Sequence, residues 1–318
     1  MHRTRTHFAS RVNRIGTALQ RHGVVATYEL HDRLLANAVA RRRFSHDEPV
    51  LDDVQQRIVQ DVRAEGYSLL SFSELFPDPA DWLEVEVNAS RFIAEVEEGL
   101  MREAAGEPAP ALRRREGKEF VIRRYSYGIT LGLDNVWLRL AADRRMLDIA
   151  NAYHGLLSKL EYVDLWYTPP VSKETPRRVS QNWHRDFNDR HLLKAFVYLV
   201  DVDDDTGPFE HIPGTEPGGA LSHVWPWRPL GVNYPPVDEF ERWAAALPVR
   251  TFTGPKGTML FCNTAGFHRG GFATGKARVL ATFTYDSPAA LKALSERNFR
   301  FAGGNGHALD EVVRYALT

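Results

Sequence analysis

From Leu160 onward the chain is a succession of short β-type runs, each ended by turn residues, and no other feature limits its fold so strongly. The runs are Tyr162–Thr168, Gln181–Asp186, Leu192–Val200, Thr251–Thr253, Thr258–Cys262 and Val279–Tyr285. Pro169-Pro170, the stretch Asp203 to Pro208, Pro213-Gly214 and Gly254-Pro255 separate them. Several short strands punctuated in this way predict an antiparallel sandwich or barrel. No internal repeat or low-complexity segment interrupts the pattern.

The preceding part reads as helical. Asp52 or Asp53 can cap a helix that carries Val54, Ile58 and Val62, and Gly66 ends it. Tyr67 to Leu70 then reads as a short strand, and Pro77–Pro79 is a break. A long amphipathic helix follows over about residues 80–105, with Trp82, Val85, Phe92, Val96 and Leu100 on one side. Residues 106–117 read as a polar loop, Phe120-Val121-Ile122 as the opening of a strand, and residues 143–157 as another helix. The predicted architecture is mainly β with flanking helices: helices first, then a jelly-roll core, as one domain over residues 51–318.

Residues 1–50 differ in charge. Nine arginines (among them Arg3, Arg5, Arg33, Arg41, Arg42 and Arg43) face four acids, Glu29, Asp32, Asp47 and Glu48. Such a stretch can be an arm for an anionic partner. Val12, Ile15, Leu19, Leu30, Leu34, Leu35 and Val39 recur at near-helical spacing, which favours a helical extension packed on the main domain.

The whole chain, at a net charge of −1, carries no polyanion-binding signature, so a small-molecule partner is expected rather than nucleic acid. Cys262 is the single cysteine, which excludes a disulfide within the chain and fits a cytoplasmic setting. No apolar run approaches the ~20 residues of a membrane helix.

The chemistry is carried by two segments far apart in sequence. His184 and Asp186 form a His-x-Asp pair; on a strand, residues two apart face the same way. His268 follows the strand Thr258–Cys262. Two histidines and one carboxylate on one face of a metal leave the opposite positions open, which is the ligand set of non-haem iron(II) oxygenases. A closed zinc site would more often use thiolates, and no thiolate pair exists here. Arg278 stands ten residues after His268 at a strand start. A dicarboxylate co-substrate that chelates iron through its keto-acid end leaves a distal carboxylate, and an arginine can meet it with two parallel hydrogen bonds.

At these residues the chain resembles the phytanoyl-CoA dioxygenase family of iron(II)/2-oxoglutarate-dependent oxygenases. The matching segments are Trp183 to Phe187, Gly207-Pro208-Phe209 with Ile212 to Thr215, Gly257 to Phe261, His268 and Arg278, in that order. Glu65 to Leu70 and Ile149 to Gly155 are similar to the family's opening junction and middle helix, so the resemblance spans about residues 52–286. It implies a double-stranded β-helix (cupin-like jelly roll), iron(II) held by His184, Asp186 and His268, and 2-oxoglutarate held by Arg278, with O2 as the second co-substrate. It implies a dioxygenase that hydroxylates a small molecule and releases succinate and CO2. Asp186 fills the position that halogenating relatives leave to a small residue, which disfavours halogenation. Family members often carry a hydroxyl two positions after the distal histidine; here that position is Gly270. Gln181, Lys194 and Tyr198 are candidates to replace it, and Lys118, Arg123 and Arg124 to meet an anionic group.

Two other readings differ in what they require. A cupin-like metalloenzyme that works without 2-oxoglutarate has no need of Arg278. A non-catalytic jelly-roll binding protein would tolerate loss of His184 or His268. Ser222 to Pro236, with Trp225, Trp227 and Tyr234, reads as a long loop able to cover a site.

Overall fold

The computed structural model describes the chain except residues 1–22, 24, 109–111, 116, 126, 230–232, 291–296 and 304–308. Two antiparallel sheets face each other. The larger has seven strands in the order β1-β9-β6-β11-β5-β3-β2: β1 (Tyr67–Ser71), β2 (Arg114–Arg115), β3 (Lys118–Arg123), β5 (Lys159–Thr168), β6 (Leu192–Tyr198), β9 (Thr258–Cys262) and β11 (Arg278–Asp286). The smaller, in the order β10-β7-β8, joins β7 (Phe209–His211), β8 (Arg250–Phe252) and β10 (His268–Arg269). A parallel pair, β4 (Ile129–Leu131) with β12 (Phe299–Phe301), lies apart.

The helices are α1 (residues 25–33), α2 (Ala36–His46), α3 (Asp53–Glu65), α4 (Phe72–Leu75), α5 (Pro79–Ala105), α6 (Val136–Ala141), α7 (Arg144–His154), α8 (Val237–Ala244) and α9 (Glu311–Leu317). Local signals explain their ends. Asp52 and Gln55 close a reciprocal cap at the start of α3, and Gly66, left-handed at φ 80°, ends it. Gly155 at φ 66° stops α7 at His154, short of the expected residue 157.

Alternation along the large sheet divides its side chains. Val197, Met259, Phe261, Ala281 and Phe283 point toward the helices and join Ile58, Val85, Phe92 and Leu147 in the main core. Phe196, Tyr198, Leu260 and Leu280 point the other way, against Phe209 and Phe252 of the small sheet. A third cluster (Trp183, Ile212, Phe240, Ala244, Phe267) backs the small sheet, with Trp225 and Trp243 packed on it.

Three sequence expectations need correction. Residues 181–186 do not form a regular strand: Val179–Gln181 is a 3-10 turn, and only His184 pairs, with His268. The Gln181 side chain draws the turn closed by accepting from the Arg178 N–H at 2.9 Å. Residues 106–117 are not all loop, since Arg114–Arg115 pairs with β3. Finally, Leu30, Leu34, Leu35 and Val39 are not a packing face, being 45–70% exposed. Tyr28, Asp32, Asn37, Ala40 and Phe44 are buried instead, so this stretch is seated by Ala40 and Phe44 in the main core and by the polar groups of Tyr28, Asp32 and Asn37. Val12, Ile15 and Leu19 lie outside the described residues.

Candidate metal centre

His184 and His268 are brought together by a mutual backbone pair. The His184 N–H donates to the His268 carbonyl at 2.9 Å, and the His268 N–H to the His184 carbonyl at 2.8 Å. Residues opposite each other in an antiparallel pair share a face, and the two imidazole centroids lie 4.2 Å apart. Asp186 is fixed next to them by its own N–H, which donates to the Thr264 carbonyl at 2.9 Å. One donor atom from each of His184, Asp186 and His268 lies within 4.8 Å of the others, the only such group among the described residues.

The imidazoles are set for a metal by matching backbone contacts. Nδ1 of His184 donates to the Asn182 carbonyl, and Nδ1 of His268 to the Gly266 carbonyl, each at 3.0 Å and each two residues back. A carbonyl only accepts, so both rings carry the proton on Nδ1 and keep the Nε2 lone pair for a ligand bond. Burial pushes the His184 imidazole down to about 4 and His268 well below its ordinary value, so both are neutral. Burial acts to raise the Asp186 carboxyl, but the groups opposing it, led by the Lys194 ammonium bonded to it, hold the group ionised. Two neutral imidazoles and one carboxylate on a common face suit a divalent first-row cation, so the donor set fits iron(II).

Arg278 opens β11 and is 5% exposed. Its Nε is buried without a hydrogen-bond partner, and burial lowers the guanidinium to about 10 with only Tyr198 opposing. No acidic side chain among the described residues pairs with it. The guanidinium lies along Gly270 and Gly271: a Cβ on either would stand 3.0 Å from Nη1 or 2.9 Å from Nη2. Arg278 and both histidines line one cavity, together with Phe120, Trp166, Ser180, Lys194 and Tyr198.

The remaining sequence candidates divide. The Lys194 ammonium donates to Asp186 Oδ2 at 2.6 Å and so sits at the metal face. The Tyr198 hydroxyl lines the cavity and donates to the Phe252 carbonyl at 2.8 Å. Gln181 is buried, and its Nε2 donates to the Gly271 carbonyl at 2.9 Å, bracing the segment beside Arg278. Lys118 acts on His184 through its charge. Arg123 bonds Asp164 at 2.6 Å inside the barrel, whereas Arg124 pairs with Glu95 on the exposed side. Tyr234, in the loop expected to cover the site, stacks on His184 with centroids 5.2 Å apart and planes 7° from parallel. Ser180 and Trp166 were not singled out from sequence; Ser180 lies in the turn whose carbonyl accepts the Gly270 N–H, a proximity no local pattern announces.

No helix among the described residues is long and apolar enough to cross a membrane. No protein-family model and no curated protein matches the chain. Solved structures do. The 2-oxoglutarate-dependent epimerase SnoN from nogalamycin biosynthesis is 19% identical, with 81% of this chain and 92% of that one covered at a TM-score of 0.50. EctD from S. alaskensis, crystallised with 2-oxoglutarate and 5-hydroxyectoine, is 18% identical, with 76% and 80% covered at a TM-score of 0.51. The likeness establishes the fold: a double-stranded β-helix with flanking helices.

Proposed function

We propose that this chain is an iron(II)- and 2-oxoglutarate-dependent oxygenase that hydroxylates a small molecule, releasing succinate and CO2. The observation that carries the reading is Arg278, a buried guanidinium without an acid partner in the same cavity as His184 and His268, the two histidines grouped with Asp186. A buried unpaired cation is costly, and a dicarboxylate whose other end reaches the metal offsets that cost. A cupin-like enzyme without 2-oxoglutarate, or a plain binding module, leaves this arginine unexplained. The motif resemblance to phytanoyl-CoA dioxygenases supports the reading, as do two proteins of the same fold, one described as 2-oxoglutarate-dependent and the other crystallised with 2-oxoglutarate.

Iron(II) at the triad would supply the O2 chemistry that couples decarboxylation of 2-oxoglutarate to oxidation of a substrate C–H bond. The protein's part is binding and orientation. His184, Asp186 and His268 would hold the metal, and Arg278 would hold the distal carboxylate of the co-substrate. Lys194 keeps Asp186 aligned, and Tyr234 shields the His184 ring. Phe120, Trp166 and Phe209 provide apolar walls that limit water.

The test needs no substrate. Metal-free protein is mixed with iron(II) and 2-oxoglutarate under anaerobic conditions and its visible spectrum recorded. A weak charge-transfer band requiring both additions, and absent in His268→Ala, is the expected result. Bound iron with no such band would overturn the proposal.

A further inference from the structure

The segment that precedes the family resemblance reaches the loops behind Asp186 chiefly through Tyr28. Tyr28 of α1 is 2% exposed. Its hydroxyl donates to Asp189 Oδ1 at 2.7 Å and accepts from the Arg190 N–H at 3.1 Å. Asp189 is wholly buried and also accepts from the His191 N–H at 3.2 Å and the Ser287 N–H at 2.7 Å. Asp189, Arg190 and His191 belong to the connection between Asp186 and β6, so Tyr28 fixes the loop that leaves the metal-binding carboxylate.

A second contact runs from the same ring. The Tyr28 and Trp227 rings lie 5.6 Å apart, and the Arg190 guanidinium lies over both, at 5.2 and 5.6 Å. The Trp227 indole N–H donates to the backbone carbonyl of Asp186 at 3.3 Å. Trp227 belongs to the loop that also stacks Tyr234 on His184. Tyr28 therefore touches both segments that hold Asp186 from outside the metal face. Asp32, one helical turn on, bonds His191 Nε2 at 3.0 Å and Asn37 at 2.7 Å, and Asn37 bonds Ser287 at 2.9 Å. A merely solvated arm has no use for buried polar groups satisfied in this detail.

We infer that the N-terminal extension is a working part of the metal site, with Tyr28 as a positioning residue that holds Asp186 through Asp189 and Trp227. This rests on the assignment of His184, Asp186 and His268 as metal ligands. Partners hydrogen-bonded directly to a metal's ligands typically carry about 10- to 100-fold in metal affinity, and Tyr28 stands one contact further out. Loss of one hydroxyl should cost about the lower of these.

The experiment uses the full chain and cobalt(II) as probe, reading affinity by competition with a chelator and geometry by the cobalt visible bands. Tyr28→Phe, Trp227→Phe and the double variant are compared with Val96→Ala, a cavity variant in α5 far from the loop. Tyr28→Phe is expected to weaken cobalt about 10-fold and alter its bands. The two substitutions cut separate links, the Tyr28 hydroxyl to Asp189 and the Trp227 indole N–H to the Asp186 carbonyl, so the losses in the double variant should about multiply. Val96→Ala should lower Tm with affinity and bands unchanged. Cobalt affinity in Tyr28→Phe within about two-fold of the parent overturns the inference, as does equal weakening in Val96→Ala. A parent that takes up no cobalt overturns the ligand assignment itself, a result separate from either.

Discussion

Gly270 and Arg278 share one volume: a Cβ on Gly270 would stand 3.0 Å from Arg278 Nη1 and 3.3 Å from the Phe209 Cα. The guanidinium thus occupies the space in which a side chain at this position would begin. The absence of a hydroxyl-bearing residue at position 270 goes with the seat that Arg278 takes. Gly270→Ser should displace the arginine rather than assist it. The expected outcome is weaker 2-oxoglutarate binding, by about 10-fold if ~1.4 kcal/mol of overpacking is taken up by the guanidinium, with iron affinity unchanged. Titration of the anaerobic iron complex with 2-oxoglutarate reads both. Tighter binding in the serine variant would show that the arginine has room to share.

Arg278 itself offers a sharper separation. Truncating one partner of a buried charge pair costs about 2–5 kcal/mol. Arg278→Ala should therefore raise the 2-oxoglutarate Kd by at least about 30-fold. On the proposed assignment other residues hold iron, so its affinity should move little. Arg278→Lys should rescue only in part, because an ammonium cannot present two parallel donors. Equal losses for iron and 2-oxoglutarate would argue that Arg278 supports the barrel rather than the co-substrate.

Much of this candidate site is legible in the sequence because its donor residues sit in short local patterns. His184 and Asp186 are two apart, and His268 follows a run, Thr258–Cys262, whose strand was expected with the same bounds. The caps of α3 were equally local, Asp52 at one end and Gly66 at the other. What escaped reading depends on contacts between distant segments. The backbone carbonyls of Asn182 and Gly266 set the imidazole tautomers, but a carbonyl has no residue-type signature. Tyr28 meets Asp189 across 161 positions, and the exposed leucines around it gave a misleading helical stripe. Of the expected strand Gln181–Asp186 only His184 pairs, and its first residue belongs instead to the turn Val179–Gln181, where a side-chain hydrogen bond, not alternation, decides the backbone.

Acid sensitivity should report on His154, which lies away from the metal face. It is buried, its Nδ1 is 2.9 Å from Ser158 Oγ, and its Nε2 has no partner. Burial first, and His191 second, hold the imidazole well below its ordinary value. The unfolded chain titrates near 6.5, so below that pH the unfolded state binds a proton that the folded state refuses. Stability is then present above about pH 6.5 and is lost as pH falls beneath it, at up to about 1.4 kcal/mol per pH unit for one group. In urea unfolding of metal-free protein between pH 6 and 4, His154→Phe should show a shallower pH slope than the parent by about that amount. Identical slopes would mean that His154 gains a proton without cost.

Gly66 ends α3 and also bears on the residues behind the site. Its φ of 80° lies in the left-handed region, which costs an L side chain about 1–2 kcal/mol. A Cβ there would also meet His211 Cε1 at 2.8 Å and Glu216 Oε2 at 2.9 Å. His211 is wholly buried and pairs with His268 across β7 and β10. The ring cannot retreat without disturbing that pair, and overpacking adds about 1–3 kcal/mol. Gly66→Ala should therefore destabilise by about 2–5 kcal/mol in urea unfolding, beyond the about 1–2 kcal/mol expected of the strained backbone alone. It should also weaken iron binding, because the displaced His211 pushes on the strand that carries His268. Gly106→Ala is the control: Gly106 ends α5 at φ 69° with nothing near its added Cβ. It should carry the backbone cost alone and leave iron affinity at the parent value. Matching losses in the two variants would reduce Gly66 to an ordinary helix end.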